Sequence, residues 1–214
     1  MTIYGKPAPI RYDEGCLAAH ALNLVGDRWA LLVVRELIFA PKRFGMLRAG
    51  LPGISASVLN GRLAQLQAAG ILSHDRRLGI YALTPEGLGL LPVLQALCRW
   101  ALTVPGHDPS RFISPTALMI SMGVTGGGHG AMPAQAGFDF GTEAFEMRLQ
   151  SSGPTTVAVE RPEAPFVLHG SGNALAAAVY GRVPLAAMTT IRLEGDAAAA
   201  QDFVDFFSLR PLSG

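Results

Sequence analysis

Residues 51–66 read Leu51-Pro52-Gly53-Ile54-Ser55-Ala56-Ser57-Val58-Leu59-Asn60-Gly61-Arg62-Leu63-Ala64-Gln65-Leu66. A Pro-Gly turn is followed by a serine in the position of a helix cap, then by apolar residues at helical spacing. The pattern predicts a helix over 56–69 with Gly70 just past its end. Val58, Leu59, Leu63 and Leu66 fall on the inner side, and Ala56, Ser57, Asn60, Gly61 and Gln65 lie near the outer one. Upstream, Arg43–Ala49 reads as a short helix. Arg28–Phe39 reads as a longer one, capped by Asp27 and stopped by Pro41, and Cys16–Val25 as a third, closed by Gly26. Downstream, 71–77 and 80–83 read as strands joined by a tight turn at Leu78-Gly79. Thr84-Pro85-Glu86 then starts a helix, since threonine caps, proline suits the first position and the acid suits the first turn. This helix is expected to reach about Leu102 with a bend near Pro92.

Helix, turn, second helix and basic hairpin together predict a winged helix-turn-helix whose recognition helix is 55–69. Charge agrees with that placement. Residues 1–104 hold 11 Lys and Arg against 6 Asp and Glu, whereas 105–214 hold 6 against 10. Within 40–77 there are six basic residues and one acid, Asp75. A net charge of +1 conceals this separation into a basic and an acidic half. Lys42, Arg43, Arg62, Arg76 and Arg77 are therefore expected to meet the phosphate backbone, with Arg48 also near the rim. Ser55, Ser57, Asn60 and Gln65 are the candidates for base edges. Arg62 also reads as an arginine held within its own domain, and both readings stay open.

The run Leu24-Val25-Gly26-Asp27-Arg28-Trp29-Ala30-Leu31-Leu32 through Glu36-Leu37 resembles the HxlR family of bacterial regulators, distant relatives of MarR. So do Arg43-Phe44, Leu51 through Ser55, and Tyr81-Ala82-Leu83-Thr84-Pro85-Glu86-Gly87. The resemblance covers about residues 12–102. It implies a homodimer paired through the first and last helices on a two-fold operator in double-stranded DNA, and transcriptional control, more often repression. Ala56 and Gly61 stand where relatives often carry long polar side chains, which predicts sparse base readout and more reading of DNA shape.

Cys16 stands where many such proteins carry a redox- or electrophile-sensing cysteine. A helix N-terminus favours the thiolate, while nearby Asp13 and Glu14 are expected to oppose it. Burial is the competing reading. Cys98, between Leu97 and Trp100, is expected in a core or an interface.

Val104 to Pro109 has the composition of a linker. The expected division is a DNA-binding and dimerisation domain at 1–104, a linker at 105–112 and a second domain at 113–214. In the second domain Pro115–Met122 reads as a helix and 123–137 as a Gly-rich loop. Residues 145–149, 155–160, 164–169 and 190–194 read as strands, and Asn173–Tyr180 and Ala197–Phe207 as helices. The fold class expected is α+β, with a small mixed sheet and covering helices following the winged helix. Around Phe145–Leu149, Ala174–Arg182, Pro184–Met188 and Ile191–Asp196 this half is similar, more weakly, to the sterol carrier protein type-2-like fold. That likeness implies a lipophilic ligand. Phe138, Phe140, Phe145, Phe166, Met188, Phe203 and Phe207 could line a cavity for it, or fill a solid core.

Catalytic classes find no support. Gly126-Gly127-Gly128-His129-Gly130 has no nucleophile elbow with it. The five histidines are scattered, so no metal is expected, and no cofactor motif is present. Two cysteines give no disulfide framework, and no apolar run approaches the ~20 residues of a membrane span. The expectation is a cytoplasmic regulator, not an enzyme and with no membrane partner, whose second domain senses a small apolar or amphipathic effector. The alternatives are a regulator sensing through Cys16, or a lipid carrier whose helical half binds partners.

Overall fold

Side-chain caps set most of the helix starts. A computed structural model describes residues 11–126 and 134–209. In the first half the helices are α1 (Leu17–Val25), α2 (Ala30–Leu37), α3 (Phe44–Ala49), α4 (Ala56–Ala68), α5 (Pro85–Leu88) and α6 (Leu91–Ala101), with strands β1 (Lys42–Arg43), β2 (Leu72–Asp75) and β3 (Ile80–Leu83). Ser55 Oγ accepts from the Val58 amide at 3.2 Å and Thr84 Oγ1 from the Gly87 amide at 3.2 Å, which stabilises the starts of α4 and α5. Leu59, Leu63 and Leu66 of α4 are buried against Val33, Val34 and Leu37 of α2 and Leu47 of α3.

Three expectations about the elements of this half are corrected. Asp27 does not cap the second helix; Trp29 does, with a left-handed φ of +79°, and the Arg28 guanidinium lies over its ring at 5.5 Å. The helix expected over 84–102 breaks at Gly89-Leu90, so Pro92 sits in the first turn of α6, where its missing N–H costs nothing. The wing is three-stranded, in the order β1-β3-β2, because Lys42 and Arg43 pair with Tyr81 and Ile80.

The second half contains α7 (Pro115–Thr125), β4 (Ala134–Asp139), β5 (Ala144–Gln150), β6 (Gly153–Val159), β7 (Phe166–His169), α8 (Gly172–Tyr180), β8 (Arg192–Gly195) and α9 (Ala197–Asp205), with a short 3-10 turn at Leu185–Ala187. Its sheet runs β6-β5-β4-β7-β8 and is mixed, since β4 pairs parallel with β7 and every other pair is antiparallel. Strand β4, at the centre, replaces part of the loop expected at 123–137. Gly137 within it is packed so closely that a Cβ would lie 2.6 Å from Pro162 and 2.9 Å from Val167. Its glycine serves close packing instead of a turn. Residues 127–133, with Gly127, Gly128, His129 and Gly130, lie outside the described residues. The five phenylalanines Phe138, Phe145, Phe166, Phe203 and Phe207 are buried in one core, several of them edge-to-face or tilted at 5.4–6.2 Å.

The two halves meet across α7. Residues 105–112 carry neither helix nor strand, after which α7 packs on α2 and α6 and inserts Ile120 into the first half's core. Phe39 at the end of the second helix reaches the other way, edge-to-face with Phe145 at 5.7 Å. Buried at this junction is Lys42, 2% exposed, its ammonium 2.7 Å from Glu143 and 3.3 Å from Glu36 and donating to Thr116 Oγ1 at 2.9 Å. Lys42 is therefore corrected from a phosphate contact to an interior cation. Burial pushes the Glu143 carboxyl up from its ordinary value, by more than Lys42 draws it down. No single described helix is long and apolar enough to cross a membrane.

Removing one partner of a buried ion cluster leaves the others uncompensated. Lys42→Met is expected to lower stability by ~3 kcal/mol in urea unfolding. Its exposed neighbour in Arg43→Met should change it by less than ~0.5 kcal/mol.

Candidate nucleic-acid interface

Helix α4 turns Leu59, Leu63 and Leu66 inward and leaves Ser57, Val58, Asn60, Gly61, Ala64 and Gln65 exposed. Ser55, at its cap, is exposed as well, with its side chain committed to the Val58 amide. Val58, expected inside, is 41% exposed and points with the polar set. Spacing alone missed it because positions 58 and 59 straddle the boundary of the apolar face.

Arg62 and Gln65 are only partly available. The Arg62 guanidinium bonds to the Asp27 carboxylate and to Gln65 Oε1, and Gln65 Nε2 donates to the same Asp27 oxygen at 3.3 Å. Asp27 thus ties the start of the second helix to the recognition helix. Arg62 Nε is buried without a partner, so this arginine is oriented inward along most of its length. Of the expected base-edge candidates, Ser57 and Asn60 remain unengaged by any side-chain hydrogen bond among the described residues.

At the wing, Asp75 acts as a turn cap. Its Oδ1 accepts from the Arg77 amide at 2.9 Å and the Leu78 amide at 3.0 Å, while Gly79 supplies the left-handed φ of +66°. The lone acid of the basic stretch thus folds the tip that holds Arg76 and Arg77 out. His74 stacks on Tyr81 at 4.1 Å, stiffening the hairpin below it. Arg43, Arg48, Arg76 and Arg77 are all exposed, and none enters an ion pair among the described residues.

Cys16 caps α1 and is exposed, which overturns the burial reading. Its thiol is held below the ordinary value by the Ala19 and then the Ala18 backbone amides, and the opposing influence expected from Asp13 and Glu14 is not among the causes. Cys98 differs: burial pushes its thiol up, against the weaker pull of Arg35 and Arg99.

The phenylalanines do not line a cavity. Phe138, Phe145, Phe166, Phe203 and Phe207 are all within 2% of full burial, and Phe140 and Met188 pack against them half-buried. Rings from one face of the sheet pack closely against those of α9 and fill that space. Open space of about 780 Å³ lies instead between the halves, among α2, α6, α7 and α8. Tyr180 lies along it; the hydroxyl shares hydrogen bonds with Ser121 at 2.9 Å and Thr125 at 3.0 Å, and burial pushes the phenol up to about 12. Among the described residues no cluster of three His, Cys, Asp or Glu could hold a metal ion.

A family model described as an HxlR-like helix-turn-helix matches residues 24–107. An uncharacterized HTH-type transcriptional regulator of Synechocystis sp. is 38% identical over 87 residues, covering 38% of this chain and 64% of its own length. The chain thus spans less than two thirds of that relative. YvaP of Bacillus subtilis, also described as an uncharacterized HTH-type transcriptional regulator, is 33% identical over 87 residues, 38% of this chain and 80% of its own. Among solved structures, quinone-bound YodB from B. subtilis is 34% identical over 39% of this chain and 93% of its own, with a TM-score of 0.37. All these matches fall within less than half of the chain.

The two cysteines should separate in reactivity. Iodoacetamide is expected to alkylate Cys16 faster than Cys98 at neutral pH, with a rate that rises through a midpoint below the usual thiol value for Cys16 and above it for Cys98. Peptide mass spectrometry across pH would read this, and equal rates at both sites would contradict the exposed-cap geometry.

Proposed function

This chain belongs to the HxlR-like helix-turn-helix family and is a transcriptional regulator of that type; from that premise we propose that it acts as a homodimeric, sequence-specific repressor whose second half senses a small apolar or amphipathic effector. The observation carrying DNA recognition is the outer face of α4, with Ser57, Val58 and Asn60 open, flanked by the unpaired Arg43, Arg48, Arg76 and Arg77. Arginines bind phosphate without regard to sequence, and the helix face reads bases. Asn60 suits an adenine edge and Val58 a thymine methyl. With two such contacts per half-site, much of the specificity falls to DNA shape.

Support for the dimer comes from the ends of the winged helix. Leu17 is 86% exposed and Trp100 62%, and Leu22 and Val93 are also open, so α1 and α6 present apolar surface that a second copy would cover. A two-fold pair places two recognition helices about one DNA turn apart, ~34 Å. An effector acts only by binding differently to dimers with different helix spacing. We assign the second half the sterol-carrier-like fold for its mixed sheet and covering helices, with a filled core in place of that fold's cavity. A second reading has Cys16 as the sensor, favoured by its exposure and its lowered thiol pKa.

Fluorescence anisotropy with operator and unrelated duplexes over a salt series tests the reading. Replacing both wing arginines, in Arg76→Ala/Arg77→Ala, should weaken binding to every duplex and lower the slope of log K against log salt by about 2. Asn60→Ala should cost about 1–2 kcal/mol on the operator and leave unrelated DNA unaffected. An unchanged salt slope would remove the wing from the interface.

A further inference from the structure

We propose that the cleft between the halves is a binding site for a small amphipathic anion, an aromatic or alicyclic body bearing one carboxylate, sulfonate or phenolate. This deepens the effector part of the proposed function and rests on it for its consequence, though not for its chemistry. The space, about 780 Å³, is of the size that encloses a small organic molecule. Its wall is largely apolar, with Leu31 and Leu94 on one side, Ile120 on α7, Ala176 on α8, and Phe112 and Ile113 near the linker. A smaller recess adjoins it, of about 210 Å³, sharing Leu32, Arg35, Phe112, Ile113 and Ala117.

Charge decides the ligand class. Two guanidiniums line the cleft, Arg35 and Arg111, against a single carboxylate, Asp108, which Arg111 already faces at 3.2 Å. His107 lines it as well. Arg35 donates through Nε and Nη2 to Glu36 at 2.9 and 2.7 Å, and through Nη2 to the Gly50 carbonyl at 3.2 Å. Its Nη1 has no hydrogen-bond partner among the described residues, and the side chain is 21% exposed. Glu36, buried behind it, is shared with Lys42 and Ser114, so Arg35 holds only part of that carboxylate. A guanidinium fixed on one side and free on the other is suited to one oxyanion from the cleft.

The occupant proposed is the small anion and not a second copy of the chain: helix α6 presents Leu94, Leu97, Cys98 and Ala101 to the cleft, and although Leu97 is itself half-exposed, Val93 and Trp100, the open residues assigned to pairing, are not part of its lining. Occupancy would be felt by the DNA-binding half, because Arg35 also holds Gly50, which closes α3 just before the turn into α4. An anion taken by Nη1 and the Gly50 carbonyl held by Nη2 thus share one planar guanidinium, and a shift of one is felt by the other.

The test uses the purified full-length chain and two fluorescent probes of like shape, anionic 1-anilinonaphthalene-8-sulfonate and neutral N-phenyl-1-naphthylamine. The sulfonate should bind one per chain, at least about tenfold more tightly than the neutral probe. It should also slow maleimide labelling of Cys98 severalfold while Cys16 reacts as before. Arg35→Gln should erase the preference for the anion and leave the neutral probe's affinity unchanged. Ala117→Phe should weaken both; if that variant unfolds, Cys98 protection in the unaltered chain still decides. Cys98 labelled at the same rate under saturating sulfonate would overturn the site, as would equal affinity for the two probes. DNA affinity is read separately: its persistence without probe binding would sink the cleft alone, and probe binding without DNA affinity would sink the regulator reading alone.

Discussion

A single buried ammonium holds the two halves of this protein in register. Lys42 has three protons to donate and three partners to receive them: Glu36 from α2, Glu143 from the turn before β5, and Thr116 from the first turn of α7. Glu36 in turn accepts from Ser114 Oγ at 2.7 Å and from Arg35. Burying one charge without the others would cost several kcal/mol, so these elements can dock only in the arrangement that closes the whole cluster. The cluster also dictates its surroundings. At Gly50 a Cβ would lie 2.3 Å from the Glu36 carboxylate, so the end of α3 is a glycine for reasons of space. The strand pairing of Lys42 with Tyr81 brings the wing's base into the same assembly.

That cluster also explains where reading the chain locally succeeds and where it fails. Ser55, Thr84 and the turn at Gly79 were legible because a cap or a tight turn is decided within a few residues. The inward set Leu59, Leu63 and Leu66 was legible for the same reason, as were the boundaries of β5 and α8 to within a residue or two. Lys42 was not. It sits in a basic stretch and looks like its neighbour Arg43, and only Glu143, a hundred residues later, makes it an interior residue. Asp27 is a parallel case: a good capping residue locally, it is drawn instead to Arg62 on another helix. Strand β4 was missed because Ala134-Gln135-Ala136-Gly137 lacks the bulky alternation of a strand, and its glycine is demanded by Pro162 and Val167 on neighbouring segments.

Composition could not separate a filled core from a hollow one, since both need the same phenylalanines. Packing separates them. Rings of β4 and β7 meet that of Phe203 on α9 edge-to-face or tilted, Phe145 of β5 meets Phe140 in the same way, and together they fill the interior of the second half. A small sheet with three covering helices can fill its core only if both layers supply large side chains, and here they do. The consequence is that open space beside the second half lies on its outer surface, along the seam where α7 and α8 meet α2 and α6. A junction between two packed bodies is where space survives, because its shape is set by two backbones and not by the repacking of one.

This placement gives the charge asymmetry of the chain a mechanical meaning. Exposed Arg43, Arg48, Arg76 and Arg77 stand at the wing and before the recognition helix, whereas Arg35 and Lys42 lie at the junction, the one at its edge and the other inside. Helix α2 thereby carries a link to the second half through Glu36, a link to α3 through the Arg35 contact with Gly50, and one wall of the cleft through Leu31. Since α3 leads through the Leu51–Gly53 turn directly to Ser55 and α4, a change in the bonding of Arg35 is two short elements from the outer face of α4. Any motion that preserves the Lys42 cluster pivots about it, so the two halves shift relative to each other by tilting α2 around that fixed ammonium and not by separating from it.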